Sequence, residues 1–213
     1  MRIMILTLTG ILAACASHAP QYYSLQAPAV GSAQPKKEVS RDFVISVQPV
    51  LIPEQLSRPQ ILVASPDSAE VVPLNVALWA GPLEAQIRDA LADSLSKRLN
   101  VLDLGPAKAD GTPVWRVYVD VQRFDSLYGK EVRQDIVWRL EPQGMPRGVK
   151  KRVCSAQARI PVDEGMASLV AGHRQALDSL ADVIAQTIPT RDKNASASAE
   201  FAREGLNFRG CVG

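Results

Sequence analysis

The chain has 213 residues, and its 24 lysines and arginines nearly balance 22 aspartates and glutamates, leaving a net charge of +2. That balance gives no argument for a nucleic-acid partner. The length suits one folded core, and no stretch approaches the roughly 20 apolar residues that a membrane-spanning helix needs.

The chain opens on an apolar run from Ile3 to Leu12 that closes on Leu12-Ala13-Ala14-Cys15. A run of about ten residues is the length of a signal h-region. Small residues directly before a cysteine look like a bacterial lipobox, which makes residues 1–14 a lipoprotein signal peptide and Cys15 the lipid attachment site. An ordinary signal peptide cut near Ala14 is the alternative. Ala16 and Ser17 follow, with no aspartate beside the cysteine, and by the enteric sorting pattern this favours the outer membrane.

Residues 15–42 read as a tether. Pro20, Pro28, Gly31, Pro35 and Lys36-Lys37-Glu38 cannot bury enough apolar area to fold alone. Within it, Gln21-Tyr22-Tyr23-Ser24-Leu25 suits a short strand docking onto the body.

The domain is placed at 43–189. Phe43, Ile45 and Val47 alternate with Val44, Ser46 and Gln48, which predicts a strand ending at Pro49. Ile61-Leu62-Val63 and Glu70 to Leu74 are further short strand candidates. Leu78-Trp79-Ala80-Gly81-Pro82 is expected to open a helix, with Pro82 at its first position. From there Leu83, Ile87, Leu91, Leu95 and Leu99 recur every fourth residue, an amphipathic stripe. Val101 to Leu104 gives a short strand. Trp115 to Phe124 alternates, with Trp115, Val117, Val119 and Val121 on one face. A turn over Asp125 to Lys130 leads into Val132 to Leu140, and Val149 to Ile160 completes an antiparallel meander. After Asp163-Glu164-Gly165 a second amphipathic helix carries Leu169, Val170, His173, Leu177, Leu180, Ala181, Ile184 and Ile188, and Pro189 stops it. Residues 190–213 read as a low-complexity tail. The expected fold is a single α+β domain, a mixed and mainly antiparallel sheet packed by two amphipathic helices.

Of three cysteines, Cys15 is assigned to lipid. Cys154 and Cys211 remain as an even pair in an oxidising compartment, either a disulfide tying the tail to the strand near Val153, or thiols left free or paired between chains. His18 and His173 do not complete zinc-ligand spacing with them, so no metal is expected. His173, near the apolar stripe, reads as a core or interface histidine. Asp120 and Asp125 at a strand end read as solvated carboxylates. No phosphate loop, nucleophile elbow, metal-binding helix motif or triad is present, so neither catalysis nor a cofactor is expected.

One ordered set of segments resembles a known family. It comprises Tyr22-Tyr23-Ser24-Leu25, Val47-Gln48-Pro49-Val50-Leu51-Ile52-Pro53, Leu56-Ser57-Arg58-Pro59-Gln60-Ile61, Leu78-Trp79-Ala80-Gly81-Pro82-Leu83, Leu95-Ser96-Lys97-Arg98-Leu99 and Val119-Asp120-Val121-Gln122-Arg123-Phe124-Asp125. Together they look like the PqiC/YmbA family of ABC-type transport auxiliary lipoproteins, over about Cys15 to Ile188. The tail with Cys211 has no counterpart. The resemblance implies a non-enzymatic lipoprotein of the outer membrane, facing the periplasm. Its implied partners are an MCE-domain tube or needle protein, the associated inner-membrane transporter, and further copies of itself in a ring. Tyr22 and Tyr23 are assigned to docking, Arg58, Pro59 and Gln60 to contacts from an irregular segment, and Trp79 and Pro82 to the helix start with Trp79 on the core. A structural or chaperone-like assembly lipoprotein of the outer membrane is the alternative.

Overall fold

Period-two alternation fills the middle of the chain, and there the backbone folds into long paired strands. The computed structural model describes residues 19–26, 42–65, 69–107, 111–189 and 205–213. The elements run β1 (Gln21–Tyr23), β2 (Val44–Val47), β3 (Gln60–Ala64), β4 (Val71–Trp79), α1 (Leu83–Leu99), β5 (Val114–Leu127), β6 (Glu131–Gln143), β7 (Arg152–Pro161), α2 (Met166–Thr187) and β8 (Leu206–Val212).

Among the described residues these strands form one mixed sheet in the order β1-β4-β3-β5-β6-β7-β8, with β2 beside β5. The meander β5-β6-β7-β8 is antiparallel throughout. The parallel pairings are β1 with β4, β2 with the first residues of β5, and Ala64 of β3 with Leu127 at its end. Both helices pack together over one sheet face, α1 near β2 and α2 on β6, β7 and β8. The fold is therefore a single α+β domain.

The leucine stripe explains why α1 lies where it does: Leu83, Ile87, Leu91, Leu95 and Leu99 are all buried. Polar side chains seal the seam between the helices. Arg98 pairs with Asp178 at 2.6 Å and Asp182 at 3.0 Å, and Ser94 Oγ–H donates to Asp178 at 2.8 Å.

Several elements differ from the sequence reading. Leu78 and Trp79 close β4 rather than open the helix, and α1 starts at Leu83 with Pro82 flanking it in an extended conformation (φ −52°, ψ 128°). The strand read over Glu70 to Leu74 is nine residues long. The strict alternation of β5 stops at Val121, where a bulge leaves Gln122 without a partner in β6. After the bulge the buried positions change parity to Phe124 and Ser126, which keeps the apolar face under the helices. β5 then runs on to Leu127, so the expected turn shrinks to residues 128–130, where Gly129 takes the left-handed conformation at φ 66°. Residues 101–104 make a single bridge, Asp103 to Ile45, instead of a strand. There the Asp103 carboxylate takes the place of further ladder, accepting from the Val47 N–H at 2.8 Å and bonding Arg88.

The end of the chain also folds. β8 pairs with β7, and Phe208 lies over Trp138 with ring centroids 6.0 Å apart. Cys154 and Cys211 face each other in that register and form a disulfide, with Cα atoms 4.0 Å apart. Residues 190–204 of the stretch read as a low-complexity tail lie outside the described residues. Closing a loop with a sequence separation of 57 restricts the unfolded chain by about 4 kcal/mol in the chain-entropy account.

Leu91 sits at the centre of the buried stripe with no solvent exposure. Leu91→Ala is expected to lose about 2–5 kcal/mol of unfolding free energy, read as a lower urea midpoint with unchanged slope.

Candidate functional site

The motif residues come from three separate stretches of sequence, and the fold gathers them at one corner of the sheet. β1 lies parallel to the end of β4, with Gln21 opposite Ala77, Tyr22 opposite Leu78 and Tyr23 opposite Trp79. On the other side of β4, Gln60 pairs with Leu78, and the Trp79 N–H donates to the Pro59 carbonyl at 2.7 Å. The Ala80 N–H donates to the Tyr23 carbonyl at 2.8 Å. Tyr22-Tyr23, Arg58-Pro59-Gln60 and Trp79 to Pro82 thus converge where β4 hands over to α1.

Two residues that the motifs did not single out complete the clasp. Gln86, buried on α1, accepts the Leu25 N–H at 2.9 Å through Oε1 and donates from Nε2 to the Gly81 carbonyl at 2.9 Å. Arg174 on α2 donates to the Ser24 carbonyl from Nε at 3.0 Å and from Nη2 at 2.5 Å. Leu25 itself is buried in the core. The signal available in sequence was a polar residue in phase with the leucine stripe, since Gln86 falls between Leu83 and Ile87. Arg174 gave no comparable signal, because its partner is a backbone carbonyl 150 residues away.

The N-terminal segment is therefore a fixed part of the body. Of the stretch read as a tether, residues 21–25 are bound to the sheet and both helices. Arg58 and Pro59 are exposed at the rim, Tyr22 is exposed, and Pro82 is exposed beside the helix start. Cys15 lies outside the described residues, as does His18.

Trp79 carries the clasp into the core. Its ring meets Phe124 and His173 edge-on, at 6.1 and 6.3 Å between centroids, and Phe124 and His173 stack at 4.0 Å. The Gln134 amide donates to His173 Nδ1 at 3.0 Å and to the His173 carbonyl at 3.1 Å. That leaves the proton on Nε2, which donates to Ser126 Oγ at 2.9 Å. A serine beside a histidine resembles a nucleophile and its base, yet Ser126, His173 and Gln134 are all buried under Trp79 and Phe124. The arrangement pairs His173 with Ser126 and the Gln134 amide N–H inside the core, leaves the buried Gln134 Oε1 without a hydrogen-bond partner, and lies too deep to meet a substrate. Burial holds the imidazole neutral and pushes its pKa down to about 3.

Arg88 ties α1 to β2 and the segment after the helix, pairing with Asp89 at 2.8 Å and with Asp103 and donating to the Val47 carbonyl at 3.3 Å. Burial works against its charge, but these two carboxylates outweigh that and raise its pKa. On the sheet face opposite the helices, an open depression of about 350 Å³ lies between Leu51, Tyr118 and Arg139. The Arg139 guanidinium sits 4.4 Å from the centre of the Tyr118 ring. Among the described residues no group of three or more ligating side chains could hold a metal, and no helix is long and apolar enough to cross a membrane.

The chain belongs to the family of ABC-type transport auxiliary lipoprotein components, which it matches over residues 23–185. No curated protein matches it at a significant level. Two solved structures share the fold. One is the crystal structure of an uncharacterised protein, 20% identical, covering 80% of this chain and 99% of that one with a TM-score of 0.60. The other is a Xanthomonas campestris protein of the DUF330 family, 18% identical, covering 67% of this chain and 81% of that one with a TM-score of 0.53.

The buried histidine makes stability depend on pH. The unfolded chain binds a proton near the ordinary value of 6.5, and the folded chain refuses it until about 3. The contribution is complete above about pH 6.5 and is lost as the pH falls toward 3, at no more than about 1.4 kcal/mol per unit. Urea midpoints measured from pH 7.5 to 5 should fall in the parent chain and fall less in His173→Gln.

Proposed function

We propose that this protein is a lipid-anchored subunit of an intermembrane lipid transport system, held at the periplasmic face of the outer membrane through Cys15. The reading rests on membership of the transport auxiliary lipoprotein family. The observation that carries it to this chain is the clasp. β1 is fixed to the body at Gln21, six residues beyond the cysteine, so the leash spans at most about 20 Å. A leash this short holds the domain against one membrane and gives it no reach across a periplasm, so a partner must bridge the gap.

That partner is an MCE-domain tube protein, driven by an inner-membrane transporter. This chain receives the tube at the outer membrane and assembles with copies of itself into a ring. The exposed ends of its sheet, β1 and β8, provide edges for such assembly. It performs no chemistry and takes no cofactor. Several acyl chains on one residue, at about 0.8 kcal/mol per buried CH₂, make the attachment effectively permanent.

The test uses the full chain in its native host. Mass spectrometry of the processed amino end is expected to show acyl groups on Cys15, and crosslinking is expected to recover an MCE-domain protein. An unmodified end cut near Ala14 contradicts the anchor. An acylated chain that recovers only nascent outer-membrane proteins favours an assembly factor instead.

A further inference from the structure

The turn between β6 and β7 carries charge that nothing in the fold pairs. Between Glu141 and Asp163 the chain has no acidic residue and five basic ones, Arg147, Lys150, Lys151, Arg152 and Arg159, in a chain whose net charge is only +2. Arg152 is used inside the domain, where it donates to the Thr187 carbonyl at the end of α2 at 3.5 Å. Arg147, Lys150 and Lys151 are exposed, and among the described residues none of them enters an ion pair. β8, paired with β7 beside the turn, adds Arg209 and no acidic side chain. Three unpaired cations this close repel one another, and a partner bearing carboxylates relieves that repulsion.

The turn borders the depression on the outer sheet face. Val153 lines that depression opposite Arg139, and Lys151 precedes Val153 by two residues. Leu51 lines it beside β5 and is 65% exposed, an apolar side chain held in place by backbone bonds to Val119 and Val121. Tyr118 on β5 and Val137 on β6 add apolar surface between Leu51 and Val153. Arg139 is held by Glu141 at 3.0 Å. Asp120, the one acidic residue lining the depression, stands opposite Val137, two positions further from the turn than Arg139. An open apolar trough with cations at one end fits a segment that brings an apolar side chain and carboxylates together.

Its place in the fold selects the partner. The anchored corner is set where Trp79, opposite Tyr23, meets Phe124. The basic turn follows Gln143, which lies opposite Val114 at the other end of β5. The strand from Val114 to Phe124 is about 33 Å long at about 3.3 Å per residue. The leash of at most about 20 Å ties the membrane to the corner, so the turn is at the remote end of the domain. Gln143 to Arg152 also contains no tryptophan or tyrosine to seat it in an interfacial layer. We propose that the β6–β7 turn and the depression beside it form the docking surface for an acidic segment of a protein partner, with Arg147, Lys150 and Lys151 taking its carboxylates and the trough between Leu51 and Val153 taking an apolar side chain. This rests on the reading above that an MCE-domain protein bridges to this domain, and it names where that protein makes contact.

The probe is the soluble part of the MCE-domain protein from the same host, titrated against the full acylated chain in phosphatidylcholine nanodiscs. The main variant combines Arg147→Gln, Lys150→Gln and Lys151→Gln. These side chains are exposed and unpaired, so its urea midpoint is expected to match the parent's. At about 50 mM salt it is expected to bind about tenfold more weakly, and at about 0.5 M salt the two affinities converge. Leu51→Asp puts a like charge into the trough and is expected to weaken binding by at least about tenfold. Carbodiimide coupling is expected to join Lys150 or Lys151 to an aspartate or glutamate of the partner. An MCE-domain protein that binds parent and triple variant alike overturns the docking surface and leaves the transport reading standing. Unchanged binding by Leu51→Asp removes the trough and overturns the surface as drawn. If phosphatidylglycerol discs alone protect Lys150 and Lys151 from amine labelling as well as the partner does, the turn belongs to a membrane and the proposal falls. Binding to neither chain sinks the transport reading, and this proposal with it.

Discussion

Gln86 lies on the buried side of α1, where its carboxamide is cut off from water and both ends need partners. It finds them in the Leu25 N–H and the Gly81 carbonyl, one on the N-terminal segment and one on the turn that starts its own helix. Through this side chain the position of β1, the end of β4 and the start of α1 are set together. Leu25 can enter the core only because its N–H is matched there. The Ser24 carbonyl is then left facing α2, where Arg174 takes it with two nitrogens. Trp79 ties the same corner to Phe124 and His173.

This corner changes what the N-terminal region does. A segment of prolines, glycine and charged residues suggests a loose spacer between membrane and body. The fold uses part of it as an edge strand, so any spacer upstream of the body ends at Gln21. Whatever pulls on the amino terminus pulls on a strand hydrogen-bonded to β4 and backed by two helices.

The sequence was most readable where one local period decides the structure. Leucines every fourth residue placed α1, and the alternation of Trp115, Val117, Val119 and Val121 placed β5, because each pattern buries a continuous face. Legibility failed where a distant contact outweighed the local pattern. Leu78 and Trp79 look like a helix start beside Gly81 and Pro82, yet strands on both sides of β4 hold them extended. The bulge at Gln122 has no period of its own and is visible only as a change in which residues are buried. β8 carries too few apolar side chains to announce itself, and Phe208 and the Cys154–Cys211 bond place it on β7. At the clasp, Tyr22-Tyr23, Arg58-Pro59-Gln60 and Trp79 to Pro82 stood out as segments, but nothing in one dimension shows that they meet. Gln86 and Arg174 bind backbone groups, which leave no mark on residue identity at the other end.

The claim beneath the whole account is that the N-terminal strand belongs to the folded body. Amide hydrogen exchange at Leu25 in the full chain tests it most directly, with Val119 in β5 as the internal standard. If the clasp holds, the Leu25 amide is protected to a degree comparable with Val119, and both are released together by global unfolding. If Leu25 exchanges at the rate of an open peptide while Val119 stays protected, the strand is not fixed, and the short leash argued from it is wrong.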